Sequence, residues 1–208
     1  MTFDDLHFEI LDEKHSVLLE SFSCQEDIEF LKGLNFNKSI RKKIVSHNKD
    51  IENFIKNEAL LEQSVSLNTT HLMLSNDNKL VGFISFCNDC IPLEPDEKDT
   101  YGFTYATIPA LKIARLAIAT EYQHQKLSNL LIIYAIYVAL TVRKYSGLPF
   151  ITLDCYKHRM DFYKSKHHFI INSIQHDSKA DDRPISMRMY VDEYLEKLYN
   201  GDIVKFKE

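Results

Sequence analysis

The spacing of hydrophobic residues divides the chain into two parts. Residues 6–22 indicate an extended start, and from there to about residue 63 apolar residues recur at helical spacing. This spacing predicts a helical lobe at about 24–63, in which the polar pair His47-Asn48 favours two helices over one. From residue 69 onward, short apolar runs alternate with turn residues, and this pattern predicts strands.

The order of the later elements predicts the fold. A hairpin comes first, a strand–helix–strand unit follows, and the polar segment 92–107 between them is predicted to be a loop. Hairpins pair strands antiparallel, whereas strands joined through a helix run parallel. The sequence therefore predicts an α+β or α/β fold with a mixed, mostly antiparallel central sheet flanked by helices, in a single domain over residues 1–208. The predicted strands are 69–74, 80–86, 109–118, 150–154, 168–171 and 185–191, and the predicted helices after the lobe are 127–144, 158–166 and 192–199.

Charge and hydropathy narrow the classes of function. The net charge of −5 argues against a protein that holds nucleic acid through a broad basic surface, and the basic triplet at 41–43 is interpreted as a solvated helix face. The most apolar run, 130–140, is shorter than the roughly 20 residues that cross a bilayer, so we expect no membrane partner and a cytoplasmic location. A single Cys87/Cys90 pair, without a second pair, predicts no metal site.

Three stretches of the chain resemble the Gcn5-related N-acetyltransferases. Residues 115–131, Arg-Leu-Ala-Ile-Ala-Thr-Glu-Tyr-Gln-His-Gln-Lys-Leu-Ser-Asn-Leu-Leu, are similar to the family's motif A, a strand followed by a loop that binds the pyrophosphate of CoA. A helix that begins after a strand offers free N–H groups and a positive dipole end to such a phosphate. Phe162-Tyr163 followed by His168-Phe169 is similar to the family's F-Y-x-x-x-G-F motif. Residues 22–31 resemble the start of the toxin-like branch that acetylates aminoacyl-tRNA.

The resemblance implies acetyl-CoA as the cosubstrate. It also implies that Tyr163 protonates the leaving CoA thiolate, a role that suits a phenol. Lys126 stands where the family has its first glycine, and Ser128 stands at the second small position. Either Lys126 adds a positive charge near the phosphates, or the altered loop weakens CoA binding. The implied contacts to pantetheine and pyrophosphate are Leu116, Ala117, Ile118, Gln123, His124, Gln125, Lys126, Leu127, Ser128 and Asn129.

The general base and the acceptor are less determined. Asp154, at the end of a predicted strand, is the candidate base, while His71 is interpreted as structural. The leading interpretation is acetyl transfer to a primary amine of a small molecule or a protein, and the acidic segment 92–107 indicates a cationic amine. The alternatives are a toxin-like enzyme that acts on aminoacyl-tRNA and a non-catalytic CoA-binding or scaffold protein. A homodimer and a toxin–antitoxin pairing stay open.

Overall fold

The computed structural model describes residues 5–34, 36–175 and 184–200, without the side chain of Ile28. The strands in this part of the chain are β1 (Leu6–Ile10), β2 (Thr69–Ser75), β3 (Leu80–Pro92), β4 (Thr107–Ile118), β5 (Phe150–Cys155), β6 (Ile170–Ile171) and β7 (Ile185–Tyr190). The helices are α1 (Ser16–Glu20), α2 (Ile28–Gly33), α3 (Lys38–Asn53), α4 (Ala59–Ser64), α5 (Pro95–Tyr101), α6 (Ser128–Val142), α7 (Met160–His167) and α8 (Val191–Asn200). A π-helical turn, Phe54–Glu58, joins α3 to α4.

The strands form one mixed sheet in the order β1-β2-β3-β4-β5-β7-β6. β1 and β3 both pair antiparallel with β2, and β7 pairs antiparallel with β5 and β6. β4 and β5 pair in parallel, with Ala110–Ile113 opposite Phe150–Leu153, because α6 makes the crossover between them. The predicted mixed, mostly antiparallel sheet flanked by helices is therefore confirmed.

Contacts along the chain define two compact units. The first contains Met1–Phe86 with Arg115–Leu131, and the second contains Cys87–Ala114 with Ile132–Glu208. In the first unit, the Phe22 and Phe54 rings pack on Phe83 of β3, with centroids 5.5 and 6.2 Å apart. The helical lobe is thus held to the sheet by aromatic packing in a buried core.

The second unit has its own aromatic core. Tyr101 and Phe103 pack around Phe150 of β5 and Tyr190 of β7, and the Tyr101 and Tyr190 rings lie 4.9 Å apart. Ile91 and Ile108 belong to the same buried cluster, so α5 and the chain after it cover this end of the sheet.

Three predictions about the elements are wrong. The helix α3 runs through His47-Asn48 without a break, because Asn48 lies on its buried face; the irregular turn comes later, at Phe54–Glu58. The predicted loop 92–107 contains α5, which begins with Pro95 after the capping residue Glu94. Residues 16–20, predicted as part of an extended start, form α1. No helix in the described ranges combines the length and apolar character needed to cross a membrane.

Candidate active site

The end of β4 is fixed by close packing within the first unit. Ala119 donates its N–H to the Val81 carbonyl at 2.9 Å. A Cβ atom at Gly82 would lie 2.6 Å from the Ala117 carbonyl oxygen, so only glycine allows the two strands to approach this closely. Ala117 and Ile118 are buried. The backbone that the resemblance assigns to pantetheine binding therefore has a defined position within this unit.

The turn after β4 is tied to residues 23–25. The Thr120 N–H donates to the Ser23 carbonyl at 2.8 Å, and its hydroxyl donates to the Gln25 carbonyl at 2.9 Å. The side-chain amide of Gln123 donates to the carbonyls of Cys24 and Ile118, at 3.0 and 3.2 Å. The Gln123 side chain, predicted as a CoA contact, thus holds the turn together.

Glu52 of α3 holds Ser23 and Cys24, the residues to which this turn is tied. Its carboxylate accepts hydrogen bonds from the Ser23 hydroxyl and the Cys24 N–H, both at 2.7 Å. Burial opposes ionisation of Glu52, but the hydrogen bonds from Ser23, Cys24 and Gln25 outweigh it and lower its pKa. Sequence reasoning missed Glu52, because nothing in its neighbourhood along the chain marks a partner 28 residues away.

The loop between the turn and α6 has an unusual backbone. His124 and Lys126 have φ angles of 63° and 61°, in the left-handed region. Residues with a Cβ atom adopt this conformation at a cost of roughly 1–2 kcal/mol each, whereas glycine adopts it freely. Lys126 therefore keeps the conformation that suits the glycine expected at its position. Backbone strain of this kind concentrates at functional sites.

The N–H groups of this loop point to an anion site. Within the described part of the chain, the N–H groups of His124 and of residues 126–128 donate no hydrogen bond, whereas those of Asn129 and Leu130 donate to the carbonyls of Lys126 and Leu127 at 3.0 Å. Consecutive N–H groups in a left-handed turn at a helix start form a concave site for phosphate. Lys126 is exposed and adds a cation there, and buried Leu127 anchors the loop. These residues fit the pyrophosphate of CoA.

A cavity of about 470 Å³ lies elsewhere in the first unit. It borders the start of the 3-10 turn Thr120–Tyr122 and contains none of the residues that the sequence assigned to CoA. Its lining residues are Leu18, Ser21, Phe22, Ser23, Lys79, Leu80, Ala119, Thr120 and Glu121. It therefore gives no support to the predicted contacts.

Tyr163 belongs to the second unit, on α7. Its ring packs edge-on against Phe169, with centroids 5.7 Å apart, and its carbonyl accepts the Phe169 N–H at 3.1 Å. His168, which caps the C-terminus of α7, takes a left-handed conformation with φ 55°. Burial raises the pKa of Tyr163, and the nearby Cys155 adds to the rise while Arg159 opposes it. The phenol is therefore fully protonated at neutral pH.

Asp154, the candidate base, is paired with a cation in the second unit. Its carboxylate lies 2.6 Å from the Lys112 ammonium. Burial lowers the pKa of Lys112, but the hydrogen bond to Asp154 and the charges of Asp154 and Asp89 outweigh it, so the pKa is raised. The neighbouring Thr152 hydroxyl donates to Asp89 at 2.6 Å. Because Lys112 holds the Asp154 carboxylate, this ion pair must loosen when Asp154 accepts a proton.

Two of the four acids of segment 92–107, Glu94 and Glu97, have structural partners. Glu97 lies 2.5 Å from the buried guanidinium of Arg188 and also accepts from Ser173 at 2.7 Å. Glu94 and Glu97 form the capping box of α5. Glu94 and Glu97 therefore stabilise the helix and the sheet, while Asp96 and Asp99 stay exposed, and the cationic amine stays a prediction. A buried arginine on β7 was not predicted, because a single charged residue in a strand pattern does not indicate its partner.

The structure thus groups the predicted residues into two sets. Leu116–Ile118 and Gln123–Asn129 lie together in the first unit, and Tyr163 and Asp154 lie in the second. Among the described residues, no group of three or more His, Cys, Asp or Glu side chains could hold a metal ion.

Comparison with solved structures gives matches of fold over more than nine-tenths of the chain. The chain is similar to AtaT complexed with acetyl-methionyl-tRNAfMet, with a TM-score of 0.68, 18% identity, and coverage of 94% of this chain and 99% of that one. It is similar to a tyrosine-to-phenylalanine mutant of KacT, with a TM-score of 0.68, 15% identity, and coverage of 92% and 98%. AtaTR bound with AcCoA gives a TM-score of 0.62, 18% identity, and coverage of 95% and 99%.

No family model and no curated protein matches the sequence. At identities below 20%, the similarity to solved structures establishes the fold. That fold is the acyl-CoA N-acyltransferase fold predicted from motif A and the strand order, and the matches extend over the N-terminal helical lobe as well as the sheet.

Proposed function

We propose that this chain is an N-acetyltransferase that moves an acetyl group from acetyl-CoA to a primary amine. The observation that carries the proposal is the loop 124–128, where His124 and Lys126 adopt a strained left-handed backbone and the N–H groups of His124 and of residues 126–128 donate no hydrogen bond in the described chain. A loop with only a structural role has no need of this strain, because glycine would relieve it.

The proposed reaction is direct attack. The amine nitrogen bonds to the thioester carbon, the carbon–sulfur bond breaks, and the thiolate leaves with the bonding electrons. The Tyr163 phenol then donates its proton to that thiolate, and the amine loses its extra proton through water or Asp154. Because burial raises the pKa of Tyr163, the proton is present at neutral pH, and its transfer depends on positioning rather than on acidity.

For the acceptor, we propose the α-amino group of an aminoacyl-tRNA. The support is the full-length similarity to AtaT complexed with acetyl-methionyl-tRNAfMet, which includes the helical lobe. It agrees with the resemblance of residues 22–31 to the toxin-like branch. A toxin of this kind requires an antitoxin, and the AtaT toxin has been solved with the C-terminus of the antitoxin AtaR. We extend this pairing to the present chain as part of the proposal.

The first experiment separates cosubstrate binding from catalysis. Calorimetry with acetyl-CoA tests the loop, and release of free thiol in the presence of aminoacyl-tRNA tests the transfer. We expect the wild type to bind and to react, with the acetyl group found on the amino acid. Binding without thiol release, across aminoacyl-tRNA and a panel of small amines, would identify a non-catalytic CoA-binding protein.

The Tyr163→Phe variant tests the proton donor. The ring and its contact with Phe169 remain, so stability and acetyl-CoA affinity should be retained. Since general acid catalysis contributes typically 10²–10⁴-fold, we expect kcat to fall by about a hundredfold or more. The control is Tyr145→Phe, an exposed tyrosine of the same unit, which should leave kcat unchanged. An unchanged kcat in Tyr163→Phe would remove the assigned role.

A further inference from the structure

A segment of the helical lobe carries only positive charge. Residues 30–49 contain six Lys and Arg residues and no Asp or Glu, whereas the rest of the chain has 25 − 6 = 19 basic and 30 acidic residues, a net charge of −11. The segment covers most of α3. A strongly basic segment within an acidic protein indicates a polyanionic partner.

Helix geometry arranges three of these lysines in a line. At 100° per residue, Lys38, Lys42 and Lys49 of α3 lie within about 40° of one another and span about 17 Å. All three are exposed, and within the described part of the chain they make no ion pair. We call these three residues the lysine stripe. The sequence alone showed only the triplet at 41–43, whose members point in different directions around the helix.

The opposite face of α3 is buried. Ile44 and Asn48 are 1% and 8% exposed, and they lie on the side turned away from the lysine stripe. The helix is thus held by its apolar face, and its basic face is presented to solvent.

The lysine stripe is unfavourable for the helix itself. Lys38 and Lys42 are like charges at i and i+4, which repel. Lys38 also lies at the positive end of the helix dipole, and the first turn has no acidic residue to offset it. Selection for helix stability alone would place acids there, and a bound polyanion removes both penalties.

We propose that the lysine stripe binds the phosphate backbone of an RNA acceptor, an inference that rests on the proposed function and names the surface that receives its substrate. A membrane surface is disfavoured, because an interfacial helix exposes large apolar side chains, whereas α3 exposes none and the exposed neighbours of the stripe include Ser39 and Ser46. Their hydroxyls are common partners of phosphate oxygens.

A series of hydrogen bonds links α3, which carries the lysine stripe, to the turn before the loop 124–128. Glu52, near the end of α3, holds Ser23 and Cys24, and these in turn hold Thr120 and Gln123. All of these residues belong to the first unit. RNA bound on α3 is therefore in a fixed relation to the loop that is proposed to bind the cosubstrate.

The experiment compares two triple variants with the same net charge. In K38Q/K42Q/K49Q the lysine stripe is neutral, and glutamine keeps the helix propensity. In the control K14Q/K79Q/K144Q, three exposed lysines elsewhere on the surface are neutral. Affinity for a tRNA transcript without an amino acid is measured by fluorescence anisotropy over a range of salt concentrations, with anionic phosphatidylserine vesicles as a second probe.

We expect the stripe variant to lose at least tenfold in tRNA affinity at about 100 mM salt. The slope of log K against log salt concentration should become shallower by about 2–3, as expected for three lost phosphate contacts. The control variant should bind tRNA like the wild type. Equal affinities of the two variants, no tRNA binding by the wild type at low salt, or a loss of vesicle binding alone would each overturn the inference.

Acetyl-CoA calorimetry on the same proteins distinguishes a failure of the RNA-binding inference from a failure of the proposed acetyltransferase function. Both variants should bind acetyl-CoA like the wild type, because the lysine stripe does not touch the loop. If the wild type binds tRNA through the stripe but does not bind acetyl-CoA, the RNA surface stands and the acetyltransferase proposal fails.

Discussion

The candidate functional groups of the first unit are backbone groups, whereas those of the second unit are side chains. In the first unit, the candidate cosubstrate site consists of backbone N–H groups in the loop 124–128, shaped by two left-handed residues. In the second, the proposed proton donor Tyr163 offers a side-chain phenol, and Asp154 and Arg188 form ion pairs through their side chains. A site made of backbone tolerates a change from glycine to lysine if the conformation survives. A site made of side chains loses its chemistry with one substitution.

The largest expected effect concerns the buried ion pair of the second unit. Arg188→Met removes a buried cation and leaves the partly exposed Glu97 unpaired, so we expect the free energy of unfolding to fall by about 3–5 kcal/mol. Denaturant unfolding measures it. Arg143→Met is the matched control, because Arg143 pairs with Asp192 at a more exposed place and should cost no more than about 1 kcal/mol. Similar losses in both would show that burial of Arg188 is not decisive.

The second prediction uses pH to probe the same unit. Burial, together with the charges of Lys166 and His168, lowers the pKa of His167 to about 4. The unfolded chain therefore binds a proton that the folded chain rejects between about pH 6.5 and pH 4, and stability falls as pH falls through this range. We expect the wild type to lose about 3 kcal/mol more than His167→Phe between pH 7 and pH 4. Parallel pH profiles of the two proteins would contradict the assignment.

The third prediction moves to the backbone of the first unit. Gly82→Ala puts a Cβ atom 2.6 Å from the Ala117 carbonyl oxygen, so the end of β4 must shift. We expect a loss of about 1–3 kcal/mol in stability and weaker acetyl-CoA binding by calorimetry. Gly147→Ala is the control, since no atom lies within 4 Å of its added Cβ and its stability should change by at most about 0.5 kcal/mol. Unchanged acetyl-CoA affinity in Gly82→Ala would show that the end of β4 does not take part in binding the cosubstrate.

The smallest expected effect is a gain. Lys126→Gly relieves the left-handed strain but adds freedom to the unfolded chain, so we expect a net stabilisation of roughly 0.5–1 kcal/mol. Gln125→Gly, next to it in the same loop, has no such strain to relieve and should destabilise slightly. If Lys126→Gly also weakens acetyl-CoA binding with a shallower salt dependence, the lysine contributes its charge to the phosphates. Destabilisation by Lys126→Gly would contradict the strain at this position.

The regular part of the fold could be predicted because local patterns decide it. The apolar run of α6 and the short apolar strand β5 were placed within two residues of their observed bounds, since both elements are buried and their side chains show it. The predicted break at His47-Asn48 was wrong for the opposite reason. A polar residue marks a helix end only when it is exposed to solvent, and Asn48 is buried by the lobe. The helix α5 was missed because prolines and acids, typical of loops, here form its first turn.

The sequence by itself determined the class of fold and the position of the candidate cosubstrate loop, because motif A is a continuous stretch whose strand, turn and helix are encoded locally. Only the tertiary structure decided whether the loop without glycines keeps its shape, since the contacts of Thr120 and Gln123 to residues about 95–99 positions away hold it. It also decided the partners of Asp154 and Glu97 and the alignment of the lysine stripe. Such pairings depend on where distant segments meet, and no spacing along the chain records that.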